Sequence, residues 1–563
     1  MYDISRTFDK THYSTRRKIG KMSTGNKQSV MEKEVNEPSG LDSQGHSDIA
    51  EFYAGCEVLI TGGSGFLGKI LIEKLLRTCP KVGKLYLIMR AKKGKSSDER
   101  FKEHFEDPLY DRLKEEQPNF AGKVVMVEGQ LDKGLELSPE NRELLRNSHV
   151  VFHSAATVRF DEKLRLAVNI NVRGTKDILL FAREMPNLKA FVHIGTAFSQ
   201  CVTKFIDEIF YKPPIGSDEL LTLLDILDDE TLESITPTIL GKWPNTYAFT
   251  KTVAEDTVRK YGRDLPLCIV RPSIMIATAK EPIPGWINNL YGPTGVVLGA
   301  GMGLLHTLHC DAKNVADIIP ADYVINNILA AAWDIGKNQG KIGGPLKPLP
   351  PPVLSSKASE PNPAEDPPIY NSVSSCQNSI TWGEFMKYNE IYGMEVPSKM
   401  VFWYYFFHLH PNIWVHNFYV VFTHLLPAII FDTVARLTGR EPVLWKAYKK
   451  IHKFSGVISY FSTQQWSFRN DNVIKLWDKL SEIDRKLFYF NLSDLIWRDY
   501  YYYHIRGLRV FVVKDPLDTI EEGKKRYRLL RWAHYTVVSL VYLFQAWLAY
   551  RILYFFFSLI MSF

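Results

Sequence analysis

Six short apolar runs recur between residues 56 and 272: CEVLIT (56–61), KLYLIMR (84–90), KVVMVEG (123–129), HVVFHSA (149–155), KAFVHIG (189–195) and PLCIVRP (266–272). Their hydrophobicity is nearly continuous rather than alternating, which reads as strands buried on both faces. Helical patterns separate most of them, beginning with the amphipathic stretch FLGKILIEKLLRTC after the first run. Strands that alternate with helices and are covered on both sides imply an α/β fold built on a doubly wound parallel sheet.

The segment ITGGSGFLGK sets Gly62, Gly65 and Gly68 between the first strand and the first helix. Such a glycine triplet is weak evidence alone, but in a strand–turn–helix setting it marks a Rossmann-type dinucleotide site. Glycine permits the tight turn and lets backbone N–H groups approach a pyrophosphate, whose charge the helix N-terminus stabilises. NAD binders usually end the second strand on an acid that accepts the ribose hydroxyls. Here the strand ends LIMRAKKGK, with Arg90, Lys92 and Lys93 and no carboxylate. A 2′-phosphate would meet cations there, so NADPH is the expected cofactor. Arg90 stands at the strand end and is preferred; Lys92, Lys93 and Lys95 read equally well as a solvated loop.

Tyr247 and Lys251 lie four residues apart in WPNTYAFTK, about fifty residues after a fifth strand ending in Thr196 and before a sixth ending VRPS. A free phenol has a pKa of about 10, too weak an acid to answer hydride transfer unless its anion is favoured. A lysine one helical turn away supplies positive charge, and a threonine hydroxyl can hydrogen-bond a carbonyl oxygen as it becomes an alkoxide. The same spacing in Tyr110 and Lys114 lacks both flanking strands and reads as ordinary structure.

Together these segments resemble the extended short-chain dehydrogenase/reductases, and specifically the alcohol-forming fatty acyl-CoA reductases. The pieces that carry the resemblance are TGGSGFLGK, VFHSAATVRFDE, NVRGT, WPNTYAFTK, IVRPSI, EPIPGWINNLYGPTG and VADIIPADYV, with YNSVSSCQNSITWGEF, LPAIIFD and FSTQQWSFRNDN further on. It runs from about residue 56 to about residue 515. The family pattern assigns the cofactor to Gly62, Gly65, Phe66, Gly68, Arg90, Gln130, Ala155, Asn171 and Lys251, and catalysis to Thr196, Tyr247 and Lys251. It implies reduction of a long-chain acyl-CoA to a fatty alcohol with two NADPH, through an aldehyde held in a closed apolar tunnel. Three positions depart from the pattern. Gln130 stands where an Asp commonly contacts adenine, Gly195 and Phe198 stand where Ser and Tyr are usual, and His306 stands where a basic Arg is common.

At 563 residues the chain exceeds one compact core. The expected division is a disordered extension over 1–50, a catalytic domain over 51–340, a Pro-rich linker over 341–368, a mainly helical C-terminal domain over 369–515 and a membrane anchor over 533–563. Residues 401–431 contain no Asp, Glu, Lys or Arg. They read as a tunnel wall or interfacial segment ahead of a membrane span, because four histidines and two prolines interrupt them. The final run, from AHYTVVSLVY onward, supplies the roughly 20 apolar residues a span needs; the competing reading is a buried helix. Basic residues in KKRYRLLR ahead of it favour a cytosolic catalytic part, and a tail anchor in the endoplasmic reticulum, or else the peroxisome, is expected.

The net charge of +7, from 69 basic against 62 acidic residues, reads as a solvated surface, and no nucleic-acid partner is expected. Six cysteines without CxxC spacing argue against a disulfide framework and against a zinc site. The HLH of 408–410 has no acidic partner in its run, and no metal is assigned. Two alternatives stay open at this point. One is an extended-family oxidoreductase acting on a sterol or similar lipid; the other is a lipid-binding scaffold that keeps the fold without turnover.

Overall fold

Seven strands form the central sheet: β1 (Val58–Thr61), β2 (Leu85–Met89), β3 (Val124–Glu128), β4 (Val150–His153), β5 (Ala190–Ile194), β6 (Leu267–Pro272) and β7 (Ile369–Ser372). The computed structural model describes residues 45–91, 94–131, 134–337 and 366–561. Within it the described residues from His46 onward form one compact unit. The strand order is β7-β6-β5-β4-β1-β2-β3, with every neighbouring pair parallel. The six apolar runs are the first six of these strands.

Their continuous hydrophobicity has a direct cause. Alternate residues point to opposite faces, and both faces are covered. Val58, Ile60, Leu85, Leu87, Val150 and Phe152 fill one core, while Leu59, Tyr86, Ile88, Val151, Phe191 and Ile269 fill the other. Three helices matter for the site: α1 (Phe66–Thr78), α2 (Thr246–Tyr261) and α3 (Ala321–Lys337). Helix α3 packs against α1 and against β5 and β6. The strand order reverses between β1 and β4, which opens a crevice at their carboxyl ends where ligands of such sheets bind.

The C-terminal region is mainly helical, with α4 (Trp382–Glu395), α5 (Ile413–Val420), α6 (Leu426–Leu437), α7 (Leu444–Ser462), α8 (Trp497–Gly507) and α9 (Ile520–Met561). It is stitched to the sheet rather than hung beside it. Residues 369–372 supply β7, Ser467–Phe468 pair with Phe205–Ile206, and His408–His410 pair with Thr307–His309. A shared core joins Ile276, Ile287 and Val296 to Phe385, Tyr501 and Ile505.

Two expectations need correction. Residues 48–50, expected within the disordered extension, begin a short helix (Asp48–Phe52). Its Ile49 is fully buried, and Asp484 accepts from the Ser47 hydroxyl at 2.6 Å. The run 401–431 does not wall an internal tunnel along its length. Trp414 is 79% exposed, and Phe418, Phe422, Ile430 and Phe431 are exposed as well. Pro427 does not break the helix there; it follows a π-helical turn (Val421–Leu425) that joins α5 to α6. Residues 1–44 and the Pro-rich 338–365 lie outside the described residues, as do Lys92 and Lys93.

Candidate active site

The glycine turn fits a dinucleotide closely. Gly62 has φ +74°, and a Cβ there would meet the Ala155 nitrogen at 2.7 Å. A Cβ on Gly68 would lie 2.5 Å from the Gly62 carbonyl oxygen. Glycine is thus demanded at both positions, once for conformation and once for the close approach of α1 to the turn. Gly65 caps α1 without a side-chain hydrogen bond, and no acid occupies the first helical turn. Backbone N–H groups and the positive end of the helix are therefore available to a phosphate. Phe66 opens α1, its ring stacked on Trp286 at 5.6 Å. The Trp286 indole in turn donates to Asp107 at 3.0 Å.

On the other side of the switch point, Thr61 accepts from the Ala155 N–H at 3.2 Å, fixing the chain that leaves β4. Asn171 holds the next residues of that chain. Its Oδ1 accepts from the Thr157 N–H at 2.9 Å and its Nδ2 donates to the Thr250 hydroxyl at 2.9 Å. Asn171 lies in a π-helical turn, Asn169–Arg173, a local distortion common at functional sites. Thr250 neighbours Lys251, so one amide ties the loop after β4 to α2.

Arg90 directly follows β2, and a second guanidinium stands beside it. Arg100 donates to the Arg90 carbonyl and, at 3.1 Å, to the Ser64 hydroxyl in the glycine turn. Burial and then the Arg90 charge lower the Arg100 pKa. Two cations held together at this strand end suit an anionic group such as a phosphate. Lys95 instead pairs with Glu103 on the surface. Arg100 carries no sequence signal, because its helix (Ser97–His104) folds back toward the turn. Gln130 sits two residues past β3 and is half-buried.

Helix α2 begins where WPNTYAFTK says it should. Asn245 caps it, its Oδ1 accepting from the Ala248 N–H at 2.8 Å. Trp243 is tied by its indole N–H to the Ser199 carbonyl and the Thr252 hydroxyl, each at 3.0 Å. Tyr247 therefore emerges in the first turn and Lys251 one turn later. The buried Lys251 Nζ donates to the Ile194 carbonyl at 2.8 Å, at the end of β5 and two residues before Thr196. Burial pulls the Lys251 pKa down to about 8, with Glu255 opposing. Burial pushes the half-buried Tyr247 up to about 12, and its hydrogen bond with Thr196 acts the other way. The phenol is thus a fully protonated donor, rather than one whose anion the ammonium already favours. Behind Lys251, burial and the ammonium hold the neighbouring His153 down to about 3, so it is neutral.

A buried ion pair locks this frame. Arg271 of the VRPS segment donates from Nε and Nη2 to the two carboxylate oxygens of Glu255, both at 2.8 Å. Glu255 lies one turn past Lys251 and also accepts from Ser199 at 3.0 Å. Its role has no spacing signature, since the partners come from α2 and β6. Gly195 lies against this pair, with room for a Cβ no nearer than 3.4 Å.

A chain of aromatic contacts runs from the phenol's ring. Phe160 lies 5.7 Å from the Tyr247 ring, and Phe461 of α7 lies 5.8 Å from Phe160 and 5.7 Å from Phe198. His306 is buried, stacked on Phe406 at 4.0 Å, and burial holds its pKa down to about 4. An apolar groove between α4 and α8 includes neither Tyr247 nor Thr196 in its lining. The control pair behaves as ordinary structure: Tyr110 is buried and bonded to His104 at 2.6 Å, and Lys114 pairs with Asp111 on the surface.

A parallel sheet with a glycine turn at its switch point, and a Thr–Tyr–Lys set at the end of β5, defines a reductase of the short-chain dehydrogenase type. Matches to the family described as Male sterility protein cover residues 60–328, in its NAD-binding part, and 423–515. The chain belongs to the fatty acyl-CoA reductase family. It is 40% identical over 514 residues to Fatty acyl-CoA reductase wat of Drosophila melanogaster, covering 91% of this chain and 95% of that protein. It is 36% identical over 490 residues to Fatty acyl-CoA reductase 1 of Homo sapiens, covering 86% and 90%. Among solved structures, the terminal R domain from the myxalamid PKS-NRPS biosynthetic pathway shares the fold, with TM-score 0.50 and 19% identity over 82% of this chain and 93% of that one.

Proposed function

We propose that the protein reduces a long-chain fatty acyl-CoA to the fatty alcohol, consuming two NADPH and two protons and releasing CoA. The observation that carries this reading is the Tyr247 phenol, whose pKa burial raises and its neighbour Thr196 lowers, and whose ring lies 5.7 Å from Phe160, one turn ahead of the buried Lys251. Gly62, Gly65, Gly68 and the N-terminus of α1 would hold the pyrophosphate, with Arg90 and Arg100 on the 2′-phosphate; Asn171 would steady the loop through Ala155, and Gln130 would meet the adenine. When bound, the cofactor supplies a hydride to the carbonyl carbon in each of two rounds.

Thr196 and Tyr247 donate hydrogen bonds to the substrate oxygen as negative charge develops on it. In the first round that charge re-forms the carbonyl and expels the CoA thiolate. In the second, Tyr247 gives its proton to the alkoxide and Lys251 stabilises the phenolate left behind. Phe160, Phe198 and Phe461 keep water from the aldehyde between rounds. Helix α9 is long and apolar enough to cross a membrane, and its apolar window has no share buried in protein. We read it as the anchor of a cytosol-facing enzyme of the endoplasmic reticulum, with Lys524, Lys525 and Arg528 on the cytosolic side.

The test is purified protein with NADPH and acyl-CoAs of graded chain length, with alcohol followed by mass spectrometry. Alcohol with stoichiometric CoA is expected. NADPH oxidation that stops at free aldehyde would overturn the two-round reading.

A further inference from the structure

Among the described residues, two helical stretches are long and apolar enough to cross a bilayer: α9, and α5 with α6 taken as one rod from Ile413 to Leu437. They face different surroundings. Along the rod, His416, Val420, His424, Ala428 and Asp432 are buried. These residues recur every four positions, so they form one side of the helix. That side is pinned by polar bonds. His424 Nε2 accepts from the His306 N–H at 2.9 Å, His416 Nδ1 bonds the Thr307 hydroxyl at 3.0 Å, and Asp432 accepts from the Leu444 and Trp445 amides at 3.0 and 2.9 Å. The remaining surface exposes Trp414, Phe418, Phe422, Ile430, Phe431 and Leu437. A rod held along its length by the folded body cannot thread a bilayer, yet it offers one a wide apolar face.

We propose that α5–α6 is an in-plane membrane seat, its outer face immersed in the lipid interface beside the point where α9 enters. Two observations select lipid as the occupant. The first is continuity with α9. His534, at the start of its apolar stretch, stacks on Phe406 at 4.9 Å, Phe406 stacks on His306 at 4.0 Å, and His306 lies 5.3 Å from His424 of the rod. The second is charge. Arg436 in the last turn of the rod is followed by Arg440, Lys446 and Lys450, with Glu441 the sole acid among residues 433–453, and Lys524, Lys525 and Arg528 lie in the first turns of α9, ahead of its apolar stretch. Such borders match anionic headgroups, whereas a second copy of the chain would meet them with the same sign.

The seat also gives the acyl chain a route. Helix α7 starts against Asp432 and carries Phe461 in its last turn, against Phe160, which in turn lies against Tyr247. A substrate partitioned into the bilayer can thus enter along α7 with its tail still in an apolar setting. This last step rests on the acyl-CoA reading; the seat itself does not.

The test uses the full chain in phosphatidylcholine vesicles with and without phosphatidylserine, labelled by a carbene photoprobe confined to the hydrocarbon. Label is expected on α9 and on Trp414, Phe418 and Phe422, with His416 and His424 spared. Label confined to α9, or a cross-linked dimer that shields the rod, overturns the proposal. The full-chain variant Phe418→Glu/Phe422→Glu should stay with vesicles through α9. Its KM for a long-chain acyl-CoA supplied in vesicles should rise about tenfold, with kcat on a short soluble acyl-CoA unchanged. If both kinetic values stay at wild type the route along α7 is lost. If wild type turns over no acyl-CoA, the functional reading fails while the photolabel still decides the seat.

Discussion

The Lys251 ammonium donates to the Ile194 carbonyl at 2.8 Å, so α2 is fastened to the end of the strand that leads into Thr196. The bond places the cation by geometry rather than by an acidic partner. It also leaves the charge exposed to titration, because burial has already lowered its pKa to about 8.

The pH dependence follows with a definite sign. If the charged form of Lys251 is the active one, kcat/KM for alcohol formation is level below pH about 8 and falls about tenfold per unit above it. The folded pKa is depressed, so folding disfavours the cation. That penalty is full below about pH 8 and relieved as pH rises toward the unfolded value. Activity should therefore fall without loss of stability from this group, as parallel thermal melts would show. In Lys251→Arg the limb moves beyond about pH 10.

Tyr247→Phe removes the proton donor and leaves the aromatic packing on Phe160. Alcohol formation should fall by about 100- to 10,000-fold, while the Kd for NADPH measured by fluorescence stays at wild type. Unchanged turnover would disprove the assignment of the phenol.

Arg271→Met strands the Glu255 carboxylate in the interior. A loss of about 3–5 kcal/mol in denaturant unfolding is expected. The double variant Arg271→Met/Glu255→Met should be more stable than the single one, because no unpaired charge remains.

Gly62→Ala must force a Cβ into the Ala155 backbone, and the Kd for NADPH should rise tenfold or more, about 1.4 kcal/mol. Gly195→Ser is the contrast. Its Cβ meets only ordinary contacts, and near-wild-type activity and melting temperature are expected.

Arg90→Ala and Arg100→Ala each remove a cation from the end of β2. Each should weaken NADPH by about tenfold while changing NADH little. Equal losses for both nucleotides in titration calorimetry would reject the 2′-phosphate contact.

Much of this was legible in the chain because the relevant signals are local. The continuous hydrophobicity of CEVLIT or HVVFHSA follows from burial on both faces, and the ITGGSGFLGK turn and the Asn245 cap are written within ten residues. What escaped was set by distance. Arg100 meets Ser64, Glu255 meets Arg271, and Phe461 meets Phe160 across separations that no period encodes. The run at 401–431 was ambiguous for another reason. Histidines spaced for one buried face and phenylalanines facing outward give the same composition as a tunnel wall, and only their partners tell the two apart.

Because β7 and Phe461 both come from beyond residue 366, the two ends of this chain cannot be exchanged piecemeal. A hybrid carrying another relative's second half would inherit, in a single step, a new edge for its sheet and a new ring against Phe160.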